Sequence, residues 1–73
     1  MAKKGGGTVY RVSEVIGTSS SSWEDAARNA VKTAGATLRD LRIAEVTKLD
    51  VRIDDGGIAQ FRARLALSFK YEG

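Results

Sequence analysis

The side chains able to do chemistry in this sequence are bounded by an absence: none of the 73 residues is Cys or His. That removes thiolate and imidazole nucleophiles, a neutral-pH imidazole base and ordinary zinc sites, leaving Ser, Lys, Asp and Glu for any catalysis. No enzyme activity is expected. Binding chemistry is better represented. Arg62 and Arg64 stand two apart in a strand-like segment, where alternation puts both on one face, and the planar guanidinium suits a phosphate. The competing role for Arg62 is an ion pair with Glu45 or an Asp across an oligomer interface. Arg42 and Lys48 flank the same region and suit an anionic ligand, or serve as solvated surface cations. Asp50, Asp54 and Asp55 offer oxygens to calcium, but their spacing is not that of an EF-hand, and acids beside Gly56 are turn formers. Ser19 to Ser22 precede a helix and read as a phosphate cradle or, more simply, a loop with an N-cap. Trp23, in the first helical turn, fits a core or interface anchor better than a stacking platform.

These residues must be positioned by four elements. Residues 8–16 are rich in β-branched and aromatic types, with Gly17 as punctuation, and predict a first strand. Its even face (Tyr10, Val12, Ile16) is the more apolar but also carries Glu14, so alternation does not settle which side is buried. Ser21 and Glu24 have capping-box spacing, and the helix they start is expected to run to about Asp40. Trp23, Ala26, Ala27, Ala30, Ala34 and Leu38 form its apolar stripe, mostly alanine, which permits close approach to a sheet. Gly35 is a weak spot or a contact point.

The next segment changes phase. Ala44 and Val46 are apolar at even positions, Leu49, Val51 and Ile53 at odd ones, so a β-bulge or bend is expected near Thr47 and Lys48. Ile43, Glu45 and Thr47 then point away from the helix. Asp54-Asp55-Gly56-Gly57 predicts a hairpin turn, and residues 58–71 alternate as a long half-buried strand with Arg62 and Arg64 facing outward beside Ile43. Strands of about fourteen residues far exceed the usual ~5–6, and one helix cannot cover them.

The formal net charge of +3 comes from 12 basic and 9 acidic residues that are interspersed, and aromatic residues make up 7% of the chain. A nucleic-acid partner is therefore not expected. No segment reads as a membrane span, and Met1 to Gly7 read as a flexible tail rather than a signal peptide, so a cytoplasmic protein is expected. At this length only ~60% of the unfolded surface can be buried. With no disulfide available, self-association is the remaining means of stabilisation.

Tyr10-Arg11-Val12, Val15-Ile16-Gly17-Thr18-Ser19, Ser22-Trp23-Glu24-Asp25-Ala26, Thr37-Leu38-Arg39-Asp40-Leu41-Arg42, Ala44-Glu45-Val46, Asp55-Gly56-Gly57 and Leu67-Ser68-Phe69, in this order, resemble the dodecins. That resemblance implies an α+β fold of βαββ order, with a three-stranded antiparallel sheet wrapped on one helix and assembled into a hollow homododecamer. It assigns residues 1–7 to a tail and 8–73 to the domain. It also implies storage of a flavin, riboflavin or FMN, at subunit interfaces without catalysis. Flavin-binding members stack two isoalloxazine rings between tryptophans from two subunits related by a twofold axis, and hold the pyrimidine edge with a polar side chain from the last strand. The tryptophan position falls on Ile43 and the polar position on Arg62. The flavin site implied for this chain is Ile43, Arg62, Arg42, Ala44 and Lys48. Ile43 departs from the pattern, and members lacking the tryptophan include an ion-binding type, so a structural or calcium-binding homologue is the alternative.

Overall fold

The computed structural model describes residues 7–38 and 41–70. Four elements follow one another: β1 (Tyr10–Ser19), α1 (Trp23–Gly35), β2 (Leu41–Asp54) and β3 (Gly57–Lys70). The three strands form one antiparallel sheet in the order β1-β3-β2, with α1 against one face. Apart from Gly7, the expected tail lies outside the described residues.

The core is small and built from short side chains. Ala26 and Ala30 of α1 meet Ala63, Leu65 and Leu67 of β3, with Val15, Ala27, Ala34, Leu38 and Leu41 packed around them. Of the stripe read from the sequence, Ala26 and Ala30 are buried and Ala27, Ala34 and Leu38 partly so, while Trp23 stays exposed. On β1, however, the odd face is the inner one, opposite to the side with more apolar residues. Val15 and Gly17 pair with Leu65 and Ala63 on the helix side, whereas Tyr10, Val12 and Ile16 are exposed on the outer side. Helix proximity decides the matter: a Cβ on Gly17 would lie 2.0 Å from the Ala26 carbonyl oxygen, so only the glycine face admits α1. The displaced apolar residues leave the outer face of the sheet partly hydrophobic.

Two local expectations shift. The N-cap is Ser22 and not Ser21; its Oγ accepts from the Asp25 amide at 3.0 Å, while the buried Ser19 Oγ accepts from the Ser21 amide and donates to Asp25 Oδ2. The serine-rich loop thus spends its amides on its own cap, as the simpler reading of that segment held. The helix ends at Gly35 rather than near Asp40, because the chain tightens at Ala36 and Thr37, whose amides bond to Thr33 and Ala34. A glycine closing the helix and Lys32 in the last turn agree with that stop.

The hairpin behaves as expected. Asp55 (φ 52°) and Gly56 (φ 79°) occupy the two left-handed positions of a two-residue turn. The register shifts between Val46 and Lys48, where Thr47 is the extra residue and its Oγ1 donates to the Arg64 carbonyl at 3.2 Å. This bulge turns Ala44 and Val46 on one side, and Leu49 and Val51 on the other, all toward the helix face. Two further shifts occur, at Leu41/Ile43 and at Arg52/Ile53, and the second leaves the alternation of β2 intact.

Candidate functional site

Trp23 ties the helix to the hairpin. Its indole meets Phe61 edge-on at 5.1 Å and its Nε1 donates to the Asp50 carbonyl at 3.0 Å. The anchor role expected of Trp23 is the one the geometry gives it. On the other side of the sheet the same Asp50 faces Arg62: Nε donates to Oδ1 at 2.7 Å and an Nη to Oδ2 at 3.3 Å. This two-pronged geometry holds the Asp50 carboxyl below its ordinary range, chiefly through the Arg62 hydrogen bond, with Arg64 and Lys48 adding attraction and desolvation opposing. Because the folded value is the lower one, this stabilisation is present above the ordinary carboxylate range and is lost as pH falls through the lowered value.

Around this pair the outer face is a ladder of rungs. Arg52 stands opposite Gln60, Asp50 opposite Arg62, Lys48 opposite Arg64, Glu45 opposite Ala66 and Ile43 opposite Ser68. On the β1 side the same rungs carry Thr18, Ile16, Glu14 and Val12. The hairpin end is thus charged and the Ile43 end apolar, with Ile43 62% and Val12 61% exposed. Glu14 lies 3.9 Å from Arg64 across the sheet.

The sequence-derived candidates do not all meet. Ile43, Lys48 and Arg62 share the outer face, but Ala44 stands opposite Leu67 on the helix side and lines a groove with Val31 and Val46. Arg42 is the extra residue of the shift between Leu41 and Ile43. Ile43 and Arg62 are six residues apart along β3's register, about 20 Å at ~3.3 Å per residue. One chain therefore cannot apply both to one small ligand.

Asp50 as the partner of Arg62 was missed in the sequence for a specific reason. Counting pairs outward from Asp54 and Gly57 sets Asp50 opposite Phe61; the irregularity at Arg52/Ile53 moves it to Arg62. A cleft of 720 Å³ beside α1, lined by Val15, Gly17, Ala30, Thr33, Ala34 and Leu38, has no ionisable lining residue and is the gap one helix leaves over a long sheet. Among the described residues no group of three or more acidic side chains is placed to hold a metal ion.

Comparison with known proteins decides the family. A family model described as Dodecin matches residues 9–72. The chain is a dodecin by family. It is 43% identical to calcium dodecin of Mycobacterium tuberculosis over 86% of its own length and 89% of that protein's. It is 33% identical to a dodecin of Thermus thermophilus, over 90% and 96% of the two chains. A solved dodecin structure from Streptomyces coelicolor superposes with a TM-score of 0.84 at 44% identity, covering 90% of this dodecin and 94% of that one. The βαββ order and the β1-β3-β2 sheet are thus the dodecin arrangement. Among the described residues, no helix of this dodecin is long and apolar enough to cross a membrane.

Proposed function

We propose that this dodecin stores a flavin, riboflavin or FMN, between subunits of a homododecamer, without performing chemistry on it. The observation that carries the reading is the outer sheet face, which grades from exposed Ile43 and Val12 to the charged rungs of Lys48, Arg64 and the Arg62–Asp50 pair. A flavin has the same division, an apolar ring system and a polar pyrimidine edge. Two copies related by a twofold axis would bring the Ile43 end of one face to the Arg62 end of the other, overcoming the separation within one chain. Arg62 would hold the ring edge and Ile43 pack on the ring plane, with Lys48 adjacent; Ala44 would contribute only backbone, and Arg42 lies beside Ile43.

A second reading, calcium binding, is favoured by the 43% identity to calcium dodecin. Its ligands would be carboxylates such as Glu14, Glu45 and Asp50, gathered from more than one subunit. Titrating the chelator-treated protein separately with riboflavin, FMN and Ca²⁺ decides between the two. Saturable quenching of flavin fluorescence supports the first reading, and calcium heat without flavin binding replaces it with the second.

Two expected results follow from the same face. Light scattering should give a mass near twelve chains, because Val12, Ile16 and Ile43 expose 61%, 46% and 62% of their surface in the single chain. A monomer at micromolar concentration contradicts this. Arg62→Ala should weaken flavin binding roughly tenfold to a hundredfold, the usual size for a lost charge-assisted hydrogen bond, with the assembly unchanged. Unaltered flavin affinity together with a dissociated oligomer would make Arg62 an interface residue instead.

A further inference from the structure

The Asp50 and Arg62 pair bears on which ligand that face accepts. We propose that Asp50 is a specificity-determining residue: its carboxylate, held against Arg62 at the ring-edge end of the site, makes that end accept an uncharged flavin in preference to one carrying a phosphate ester. This rests on the reading of the outer face as a flavin site.

The geometry supplies the reason. A guanidinium has five N–H donors, and Asp50 takes two of them, leaving others for a neutral carbonyl or ring nitrogen. A phosphate has no such easy accommodation. With Arg62 on the ring edge that both flavins share, the FMN phosphate, carried on the ribityl chain beside that edge, comes near the Asp50 carboxylate, and like charges repel. Nor can Asp50 swing aside with its backbone, since it sits within β2 opposite Arg62 and its carbonyl accepts from the Trp23 indole. Arg64 and Lys48, one rung away, do not restore a strong positive field, because Glu14 lies 3.9 Å from Arg64. The charges of this patch, three cations against Asp50 and Glu14, nearly cancel. Neutralising Asp50 would leave Arg62 to an incoming anion.

Riboflavin and FMN differ only by the phosphate ester and are the probes. Wild type should bind riboflavin more tightly than FMN. Asp50→Asn keeps the backbone carbonyl that Trp23 uses, and should raise FMN affinity relative to riboflavin roughly tenfold, as expected for removal of one nearby unit charge. Riboflavin affinity should change by less than about threefold. An unchanged ratio in an intact assembly overturns the inference. So does tighter binding of FMN than riboflavin by wild type, which serves as the test if Asp50→Asn fails to assemble. If neither flavin binds either protein, the flavin reading falls by itself. Inorganic pyrophosphate, followed through the ¹⁵N signal of Arg62 Nε, then tests the role of Asp50: roughly tenfold tighter binding to Asp50→Asn sustains it, and equal binding overturns it.

Discussion

Gly17→Ala should cost more stability than the same substitution at any other described glycine, each of which has room for a Cβ. The new Cβ would stand 2.0 Å from the carbonyl oxygen of Ala26 and 2.8 Å from the Cβ of Ala30. Both neighbours are fixed, one being helix backbone and the other a side chain with no torsion to rotate, so the strain can be relieved only by moving α1 away from β1. The residues that would be uncovered, Ala26 and Ala30, are two of the five buried hydrophobic residues among those described. Overpacking of a tight core typically costs ~1–3 kcal/mol, and here the upper end applies, a drop of more than about 10 °C in melting temperature for so small a domain. Gly35→Ala is the control. A Cβ there meets nothing within 4 Å, and Gly35 is the last residue of α1, so the substitution should be neutral or stabilising by up to ~1 kcal/mol. Calorimetry on both variants reads the difference, and equal melting points would mean that the helix does not ride on Gly17.

Ile43→Trp carries the largest expected gain in binding. Ile43 lies at the apolar end of the outer face with 62% of its surface exposed, so its own chain leaves room for an indole. In a twofold arrangement each flavin site would gain two indoles, each contributing area burial and ~0.5–1.5 kcal/mol of ring–ring interaction, for a gain of roughly tenfold to a hundredfold in flavin affinity. Fluorescence of the bound flavin should fall as well, because an indole beside an isoalloxazine opens an electron-transfer path. Crowding at the axis is the opposing effect, at ~1–3 kcal/mol if neighbouring side chains have closed the space. Titrating riboflavin and FMN against wild type and variant separates the outcomes. Unchanged affinity in an intact dodecamer would show that Ile43 lines no flavin pocket, and would transfer the reading to calcium or to a structural role.

Arg62 shows how far a candidate site can be read before the fold is known. Its strand and its outer face, the face that Ile43 and Lys48 share, follow from period-two alternation, because a pleated strand leaves side chains no other direction to take. The bulge at Thr47 is legible for the same reason: only an extra residue reconciles Ala44 and Val46 with Leu49 and Val51 on one face. The hairpin turn follows from Asp55 and Gly56, residue types that tolerate positive φ. The alanine stripe of α1 follows from helical spacing.

Tertiary packing decided the rest. Hydrophobicity favoured Tyr10, Val12 and Ile16 as the inner face of β1, but the requirement for a residue without a Cβ beneath Ala26 turned Gly17 inward and those residues out. Ser22 rather than Ser21 became the cap because the buried Ser19 hydroxyl, fixed on the inner face of β1, holds Asp25 and the preceding amide in place. The pairing of Asp50 with Arg62 depended on a shift at Arg52/Ile53 that alters register while leaving the alternation of β2 intact, so no hydrophobic pattern records it. Local periodicity determines which way a side chain points from its own strand; which side chain it then meets is set by the offset between strands and the distance of closest approach of the helix, both properties of the packed whole.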